Sequence, residues 1–128
     1  MATETQNTVE IVERMYEGYN KGDIDSVLAL MADDVEWTEP EGFVFGGTYH
    51  SPKSVLQDVF EPSMEEFETF TVEPERYIDG GDTVVALGTF HATTKAKEQI
   101  ESPFVHIVEI HDGHITKFEN HTDTALWQ

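Results

Sequence analysis

The hydrophobic pattern of this chain changes period near its middle, and that change limits the folds open to it. Apolar residues recur every three or four positions over residues 5–20, again from residue 24 and again from residue 52, which predicts three amphipathic helices. From residue 67 onward the pattern alternates, which predicts four strands at residues 69–78, 83–93, 100–110 and 115–122. Helices followed by sequential strands predict an α+β fold whose helices cover one face of a mostly antiparallel sheet.

Local signals place the ends of the helices. Gly22 is predicted to end the first helix, and Asp23 to cap a second helix that extends to Met31. Ser51 followed by Pro52 reads as a cap and a first-turn proline for the third helix. The polar segment that follows it, residues 61–66, is predicted to be a loop, and a single domain is expected for residues 1–128.

A short predicted strand at residues 35–39 carries the most informative side chain. Val35, Trp37 and Glu39 alternate along it, so Glu39 is expected to point into the interior that the other two fill. A carboxyl group placed there loses solvation, which raises its pKa and suits it to general-base chemistry near neutral pH. Pro40 leaves a second interpretation open, in which the strand ends early and Glu39 stays in water.

Aromatic side chains of the first half are candidates to line a pocket for an apolar ligand. They combine large apolar surfaces with hydroxyl or N–H groups that can orient a ligand. Ordinary core packing is the alternative for each one. The set comprises Tyr16, Tyr19, Trp37, Phe45 and Tyr49.

The Asp112-Gly113 pair predicts a two-residue hairpin turn, and the turn predicts the register of the last two strands. In that register one face carries Val105, Ile107, Glu109, Phe118 and Asn120, which makes these residues candidates for contact with a ligand. Thr122 and Asp123 extend the same polar strand end and join the candidates, although they could simply satisfy backbone groups there. The other face would carry Phe104, His106, Val108, Ile110, Ile115, Lys117, Glu119 and His121.

Three histidines on successive strands raise the question of a metal site. His91, His106 and His121 lie one on each of three predicted strands. The hairpin register instead sets His106 opposite Glu119, and a histidine–carboxylate cross-strand pair is the simpler interpretation. No metal ligand set is predicted, and no cofactor motif occurs in the sequence.

Composition excludes several classes of function. Asp and Glu number 26 against seven Lys and Arg, a formal charge of −19, so nucleic acids and anionic membrane surfaces would repel the protein and neither is an expected partner. The acidic residues are spread along the whole chain, as in cytoplasmic proteins of halophiles, whose molar salt shortens the Debye length to about 3 Å.

The absence of cysteine excludes disulfides, thiolate zinc sites and thiol nucleophiles. The first seven residues are polar, unlike a signal peptide, and no apolar run approaches the ~18 residues of a membrane span. A cytoplasmic location is therefore expected.

Several segments together give the chain a resemblance to the nuclear transport factor 2-like superfamily, and within it to SnoaL-like and ketosteroid-isomerase-like proteins. The segments are YNKGD at 19–23, LMADDVEW at 30–37, GGTY at 46–49 and the hairpin at 104–123 with its closing TDT at 122–124. The resemblance implies a cone-shaped fold, in which a strongly curved sheet wraps around three helices and encloses a pocket. It also implies a homodimer formed through the convex face of the sheet, where Val108, Ile110 and Ile115 are the predicted apolar contacts.

The family includes isomerases, polyketide cyclases, dehydratases and epoxide hydrolases as well as proteins without catalytic activity. The segment ADDVEWTEP at 32–40 is similar to the ketosteroid isomerase segment that ends in the general base, and the position of that base falls on Glu39. The two oxyanion-hole positions of that enzyme correspond to Met15, next to Tyr16, and to Val105.

Two functions follow as hypotheses. The first is a cofactor-independent enzyme that uses Glu39 as general base on a small apolar carbonyl compound, with Tyr16 or Asn120 stabilising the developing oxyanion. The second is a non-catalytic ligand-binding or dimerisation module, in which Glu39 serves only as a hydrogen-bonding group.

Overall fold

A computed structural model describes residues 7–128. As the periodicity predicts, most of the helical residues lie in the first half of the chain and most of the strand residues in the second. The helical part begins with α1 (Thr8–Lys21) and α2 (Ile24–Ala29), and continues after two strands with α3 (Pro52–Val55), a π-helical turn (Leu56–Phe60) and α4 (Glu61–Glu66). The strands are β1 (Met31–Glu39), β2 (Gly47–Tyr49), β3 (Phe67–Gly80), β4 (Thr83–Thr94), β5 (Gln99–His111) and β6 (His114–Thr122). A 3₁₀ turn (Thr124–Trp127) follows β6. The predicted start of the first helix at residue 5 lies outside the described residues.

The helix ends confirm most of the local signals. Gly22 ends α1 in the left-handed conformation at φ 76°, where glycine has no Cβ penalty. Ser51 caps α3 by accepting a hydrogen bond from the Ser54 N–H, with Pro52 in the first turn. The prediction for Asp23 is wrong in its detail, because its side chain accepts from the Ser26 hydroxyl at 2.7 Å instead of from a backbone N–H.

Two predicted boundaries are also wrong. Met31 begins β1 and does not belong to the second helix, which ends at Ala29. Residues 61–66 form α4 and not a loop. The helix continues directly from the preceding π-helical turn, and the Glu61 N–H donates to the Leu56 carbonyl across the junction. This helix buries only Ser63, so it lacks the apolar periodicity by which a helix is recognised in a sequence.

The six strands form one mixed, open sheet in the order β2-β1-β6-β5-β4-β3. Four of the five strand pairs are antiparallel, and β1 runs parallel to β6. The parallel pair joins the first half of the chain to the last strand, and it places Trp37 beside Phe118. The predicted α+β layout with a mostly antiparallel sheet is therefore confirmed. No helix within residues 7–128 has the length and apolarity needed to cross a membrane.

The register of the last hairpin departs from the prediction after its first two pairs. His111 faces His114 as expected, but a β-bulge between Glu109 and Ile110 leaves Thr116 as an additional residue of β6. Every later pair is displaced by one residue, and His106 faces Asn120. A one-residue displacement reverses which side chains share a face.

The two faces of the sheet carry different side chains from those predicted. Val108, Ile110 and Ile115 are at most 2% exposed and belong to the core, so the prediction that they lie on the outer face is wrong. The core continues along the inner side of the sheet to the helices and to Trp127. The outer side of the central strands instead carries partly exposed residues, among them Val85, Leu87, Val105, Ile107 and Glu109.

Candidate functional site

A cavity lies between the inner face of the sheet and the helices. Its atom-free volume is about 490 Å³, which includes open solvent at its edge. Its walls are mainly aromatic and aliphatic, and the lining residues are Met15, Tyr16, Tyr19, Trp37, Glu39, Phe43, Phe45, Val59, Phe60, Ser63, Phe70, Val72, Phe90, His106 and Phe118.

Glu39 is the one acidic side chain in this lining, and it is 6% exposed. Its Oε2 accepts a hydrogen bond from Trp37 Nε1 at 2.7 Å, and its Oε1 accepts one from Asn120 Nδ2 at 2.9 Å. Burial raises the pKa of Glu39 from 4.5 to about 7, against the opposing effect of the hydrogen bonds from Asn120 and Trp37. The carboxyl group can therefore both take up and release a proton near neutral pH.

A second depression, at the loop between β1 and β2, shares part of its lining with the cavity. It is lined by Glu39 and Phe43, which also line the cavity, together with loop residues that include Gly42 and Val44. Because Glu39 lines both spaces, it lies between the interior of the cavity and the surface depression.

The indole of Trp37 is held in place on two sides. Its ring stacks on Phe118 of the neighbouring parallel strand, with the ring centres 3.7 Å apart, and meets Phe60 edge-on at 5.5 Å. Phe60 belongs to the π-helical turn, a distortion that often occurs at functional sites. These contacts fix the direction of the N–H that Trp37 donates to Glu39.

Tyr16 and His106 form a second buried polar pair. The Tyr16 hydroxyl lies 2.8 Å from His106 Nδ1, and the two rings stack with centres 5.8 Å apart. Burial lowers the pKa of His106 from 6.5 to about 3, with Asn120 opposing this and His121 adding to it, so the imidazole is neutral. Burial also raises the pKa of Tyr16 well above its ordinary value, and Tyr77 adds to the rise.

Tyr19 forms a third polar contact here, which is partly buried. Its hydroxyl lies 2.5 Å from Ser63 Oγ, and Ser63 donates its own proton to the Phe60 carbonyl at 2.7 Å. Burial raises the pKa of Tyr19 to about 12, with Ser63 opposing and Glu39 adding to the rise. The phenol is therefore neutral at physiological pH.

The structure brings together about half of the side chains that the sequence suggested for a site. Glu39 points inward, so the interpretation that left it in water does not hold. Asn120 reaches Glu39 without lining the cavity itself. The other predicted residues in the lining are Tyr16, Tyr19, Trp37, Phe45 and Phe118.

The remaining predicted residues lie elsewhere. Val105, Ile107 and Glu109 are on the outer face of β5, because the bulge in the hairpin reverses the predicted phase. Tyr49 donates to the Phe45 carbonyl at 2.8 Å and so fastens the loop that carries Phe45.

Thr122 and Asp123 satisfy backbone groups at the end of β6. The Thr122 hydroxyl donates to the Pro103 carbonyl at 2.6 Å, and the Asp123 carboxylate accepts from the Ala125 N–H at 3.2 Å. Neither of these two residues lines the cavity.

His106 is the most important residue of the cavity that the sequence did not suggest. The predicted pair with Glu119 is wrong, because Asn120 stands opposite His106. The alternation within β5 does put His106 in phase with Phe104 and Val108, and that signal would have placed it inside had the bulge been foreseen. The other residues missed are Met15, Phe43, Val59, Phe60, Ser63, Phe70, Val72 and Phe90.

The three histidines considered as metal ligands, His91, His106 and His121, do not converge. His91 contacts Glu73 at 2.7 Å and His121 lies 3.5 Å from Glu119, while His106 is buried among aromatic rings. Within residues 7–128 no three metal-ligating side chains are grouped closely enough to hold an ion.

The fold and the site together define the class of protein. It is a small α+β domain with an apolar cavity, bearing one buried carboxyl, between a curved, open sheet and the helices. The sequence profile of the SnoaL-like domain family matches residues 12–118, so the chain belongs to the SnoaL-like domain family. A search of functionally curated proteins finds no match.

Solved structures agree with the family and confirm the cone-shaped fold. An NTF2-like protein from Burkholderia thailandensis is 31% identical with a TM-score of 0.90, and 94% of each chain is covered. An NTF2-like protein of unknown function from Burkholderia pseudomallei is also 31% identical, with a TM-score of 0.86 and coverage of 94% of this chain and 93% of that one. TerC, co-crystallised with polyporic acid, is 29% identical with a TM-score of 0.85 over 94% of each chain.

Proposed function

We propose that this domain binds a small, largely apolar organic molecule and exchanges a proton with it through Glu39, without a cofactor. Reactions of this type include isomerisation, cyclisation and dehydration next to a carbonyl group. The observation that carries the proposal is a buried carboxyl, with its pKa raised to about 7, in the wall of an otherwise apolar cavity.

The surroundings of Glu39 suit it to this role. Two donated hydrogen bonds fix its orientation, yet a carboxylate has about four lone-pair positions, so acceptor capacity remains for a ligand. The co-crystallisation of TerC with polyporic acid supports a small organic ligand for the pocket of this chain.

Exchange of carbon-bound protons is the direct test. The protein is incubated in heavy water with ring-sized ketones that also carry a hydroxyl group, and the loss of the proton signal next to the carbonyl is followed by NMR. We expect Glu39→Gln to slow the exchange by about 10²–10⁴-fold. Glu41→Gln, an exposed neighbour in the loop, is the matched control and should leave the rate unchanged. Equal rates in wild type and Glu39→Gln would refute the proposal.

Binding without catalysis is the second candidate, and one observation favours it. Enolisation needs a donor for the developing oxyanion, but Tyr16 contacts His106, and Asn120 donates to Glu39 without lining the cavity. In that case Glu39 orients a ligand by a hydrogen bond and no exchange occurs. A ligand that shifts the NMR signals of the cavity while its own carbon-bound protons stay unexchanged would distinguish this candidate from the first.

A homodimer through the outer face of the sheet is proposed separately from the function. The residues predicted for that contact are buried in the core, and the apolar surface on the outer face is provided instead by Val85, Leu87, Val105 and Ile107, which pair across β4 and β5. Sedimentation equilibrium in molar salt should give twice the chain mass, and Ile107→Glu should give the monomer mass. A wild-type monomer under these conditions would exclude the dimer.

A further inference from the structure

The side-chain hydrogens around the cavity are already used inside the protein. Trp37 donates its indole N–H to Glu39. Ser63 donates its single proton to the Phe60 carbonyl, which can only accept. The 2.5 Å contact between Tyr19 and Ser63 must then be donated by Tyr19, so the Tyr19 proton is also used.

The hydrogen-bond direction at Tyr16 follows from its neighbours. Asn120 directs its NH₂ group to the Glu39 carboxylate, so its Oδ1 points elsewhere. Asn120 Oδ1 and His106 Nε2 are two buried atoms left without a partner within ordinary hydrogen-bond geometry, and they belong to residues that face each other across β5 and β6. A proton on Nε2 is the arrangement that points a donor toward Oδ1, and it agrees with the effect of Asn120 on the pKa of His106.

A neutral imidazole carries one proton, so Nε2–H leaves Nδ1 as an acceptor. The 2.8 Å contact between Tyr16 and His106 is then donated by Tyr16. In this tautomer the donor groups point from Tyr16 to His106, from His106 toward Asn120 and from Asn120 to Glu39. His106 is a positioning residue in this chain, since it holds the Tyr16 proton away from the cavity.

Among the lining side chains within residues 7–128, the hydrogen-bonding capacity left for a ligand is therefore acceptor capacity once Glu39 is ionised. Trp37, Ser63 and, through Ser63, Tyr19 donate to protein acceptors. In the tautomer described above, Tyr16 donates to His106, whose own N–H points toward Asn120. The oxygens of Tyr16, Tyr19 and Glu39 keep unused lone pairs. Trp127 Nε1 is buried without a partner, but Trp127 does not line the cavity.

We propose that the pocket selects its ligand by a hydrogen bond that the ligand donates: a ring-sized apolar molecule with an O–H or N–H group directed at Glu39. A ligand that offers only acceptors, such as a simple ether or ketone, meets oxygens across the cavity and gains no hydrogen bond from these side chains. The inference rests on the proposed binding of a small molecule in this cavity, and it stands whether or not Glu39 goes on to catalyse a reaction.

Two isomeric probes test the inference on the unaltered protein. p-Cresol and anisole have the same atoms and nearly the same size, but only p-cresol carries an O–H donor. Binding is followed by the indole N–H signal of Trp37 in a ¹⁵N-correlation spectrum at pH 8, where Glu39 is ionised. The chain has two tryptophans, so Trp127→Phe identifies the Trp37 signal.

We expect p-cresol to bind at least about tenfold more tightly than anisole, because a site that accepts a hydrogen bond discriminates against an analogue that cannot donate it. Equal affinities, or tighter binding of anisole, would overturn the inference while leaving ligand binding itself intact. Failure of both probes to shift the Trp37 signal at millimolar concentration would count against both the inference and the proposed function.

His106→Leu tests the positioning role in a second way. Leucine removes the acceptor at Nδ1, so the Tyr16 hydroxyl is released to donate into the cavity. The ratio of p-cresol to anisole affinities should then fall several-fold, toward equality. The ratio is measured within one folded variant, so a general loss of stability does not alter it. An unchanged ratio would show that His106 does not control the donor at Tyr16.

Discussion

Burial of Glu39 predicts that, as the pH rises, the wild-type protein loses free energy of unfolding relative to a variant that has a neutral residue at this position. A carboxyl whose pKa is higher in the folded than in the unfolded chain favours folding while it is protonated, and that contribution is lost as the pH rises. The folded pKa is about 7 and the ordinary value is 4.5. The contribution is therefore complete below about pH 4.5 and lost by a little above pH 7.

The size of the effect follows from the difference between the two pKa values. That difference is about 2.5, and ~1.36 kcal/mol for each pKa unit gives about 3 kcal/mol in the free energy of unfolding. His106 acts in the opposite sense, because its low folded pKa makes the protein lose stability as the pH falls from 6.5 toward 3. The two effects partly cancel, so the pH dependence of wild-type stability alone underestimates the contribution of each group.

Comparison with Glu39→Gln isolates the contribution of Glu39. Urea unfolding of both proteins is measured between pH 4.5 and 8 in molar salt, which screens the strong charge of the chain. The substitution also lowers the free energy of unfolding by an amount that does not depend on pH, since the glutamine amide cannot accept from both Trp37 and Asn120. Relative to wild type, the variant should gain about 3 kcal/mol as the pH rises across this range.

Two results would refute the reasoning about Glu39. One is a difference between variant and wild type that stays constant within about 1 kcal/mol across the pH range. The other is a difference that changes in the opposite direction, which would mean that the folded state favours the ionised carboxyl. Glu41→Gln serves as the exposed control, and its difference from wild type should stay small throughout.

Three further predictions concern stability away from the carboxyl. Asn20→Ala should lower the free energy of urea unfolding by about 1–3 kcal/mol, because the Asn20 side chain both donates to and accepts from the Val72 backbone and so ties α1 to β3. Trp127→Phe should leave the melting temperature equal or slightly higher, since it removes a buried N–H that has no partner. Gly88→Ala should lower the melting temperature by an amount equivalent to about 1–3 kcal/mol, because a Cβ there would collide with the Glu73 carbonyl.

The parts of the fold that the sequence predicted are those that local chemistry decides. Gly22 and Ser51 act within one helical turn, so their signals can be read without knowledge of the tertiary structure. The inward direction of Glu39 also follows from a local pattern, namely its alternation with Val35 and Trp37 in an uninterrupted stretch of strand. The helix at 61–66 escaped prediction because its backbone continues a preceding turn and its own residues carry no apolar stripe.

The bulge at Thr116 had a larger effect on the predicted site, since it altered the phase of two strands at once. The Asp112-Gly113 turn was read correctly, with both residues at positive φ as a tight hairpin turn requires. Beyond it, the extra residue turns Ile115, Phe118 and Asn120 to the same inner face, which an unbroken alternation cannot do. A strict alternation satisfies the turn equally well, so only packing against the core selects the bulged register.

The chemistry of the cavity depends on that selection. In the unbulged register Asn120 would face Val105, and no polar group would connect it to Tyr16. In the observed register Asn120 faces His106, so the proposed donor chain can run from Tyr16 to Glu39. The unpaired residue that makes this possible is Thr116, whose hydroxyl donates to the Glu109 carbonyl at 3.2 Å beside the break in the ladder. The hydrogen-bonding character of the pocket is thus fixed by a residue that does not line it.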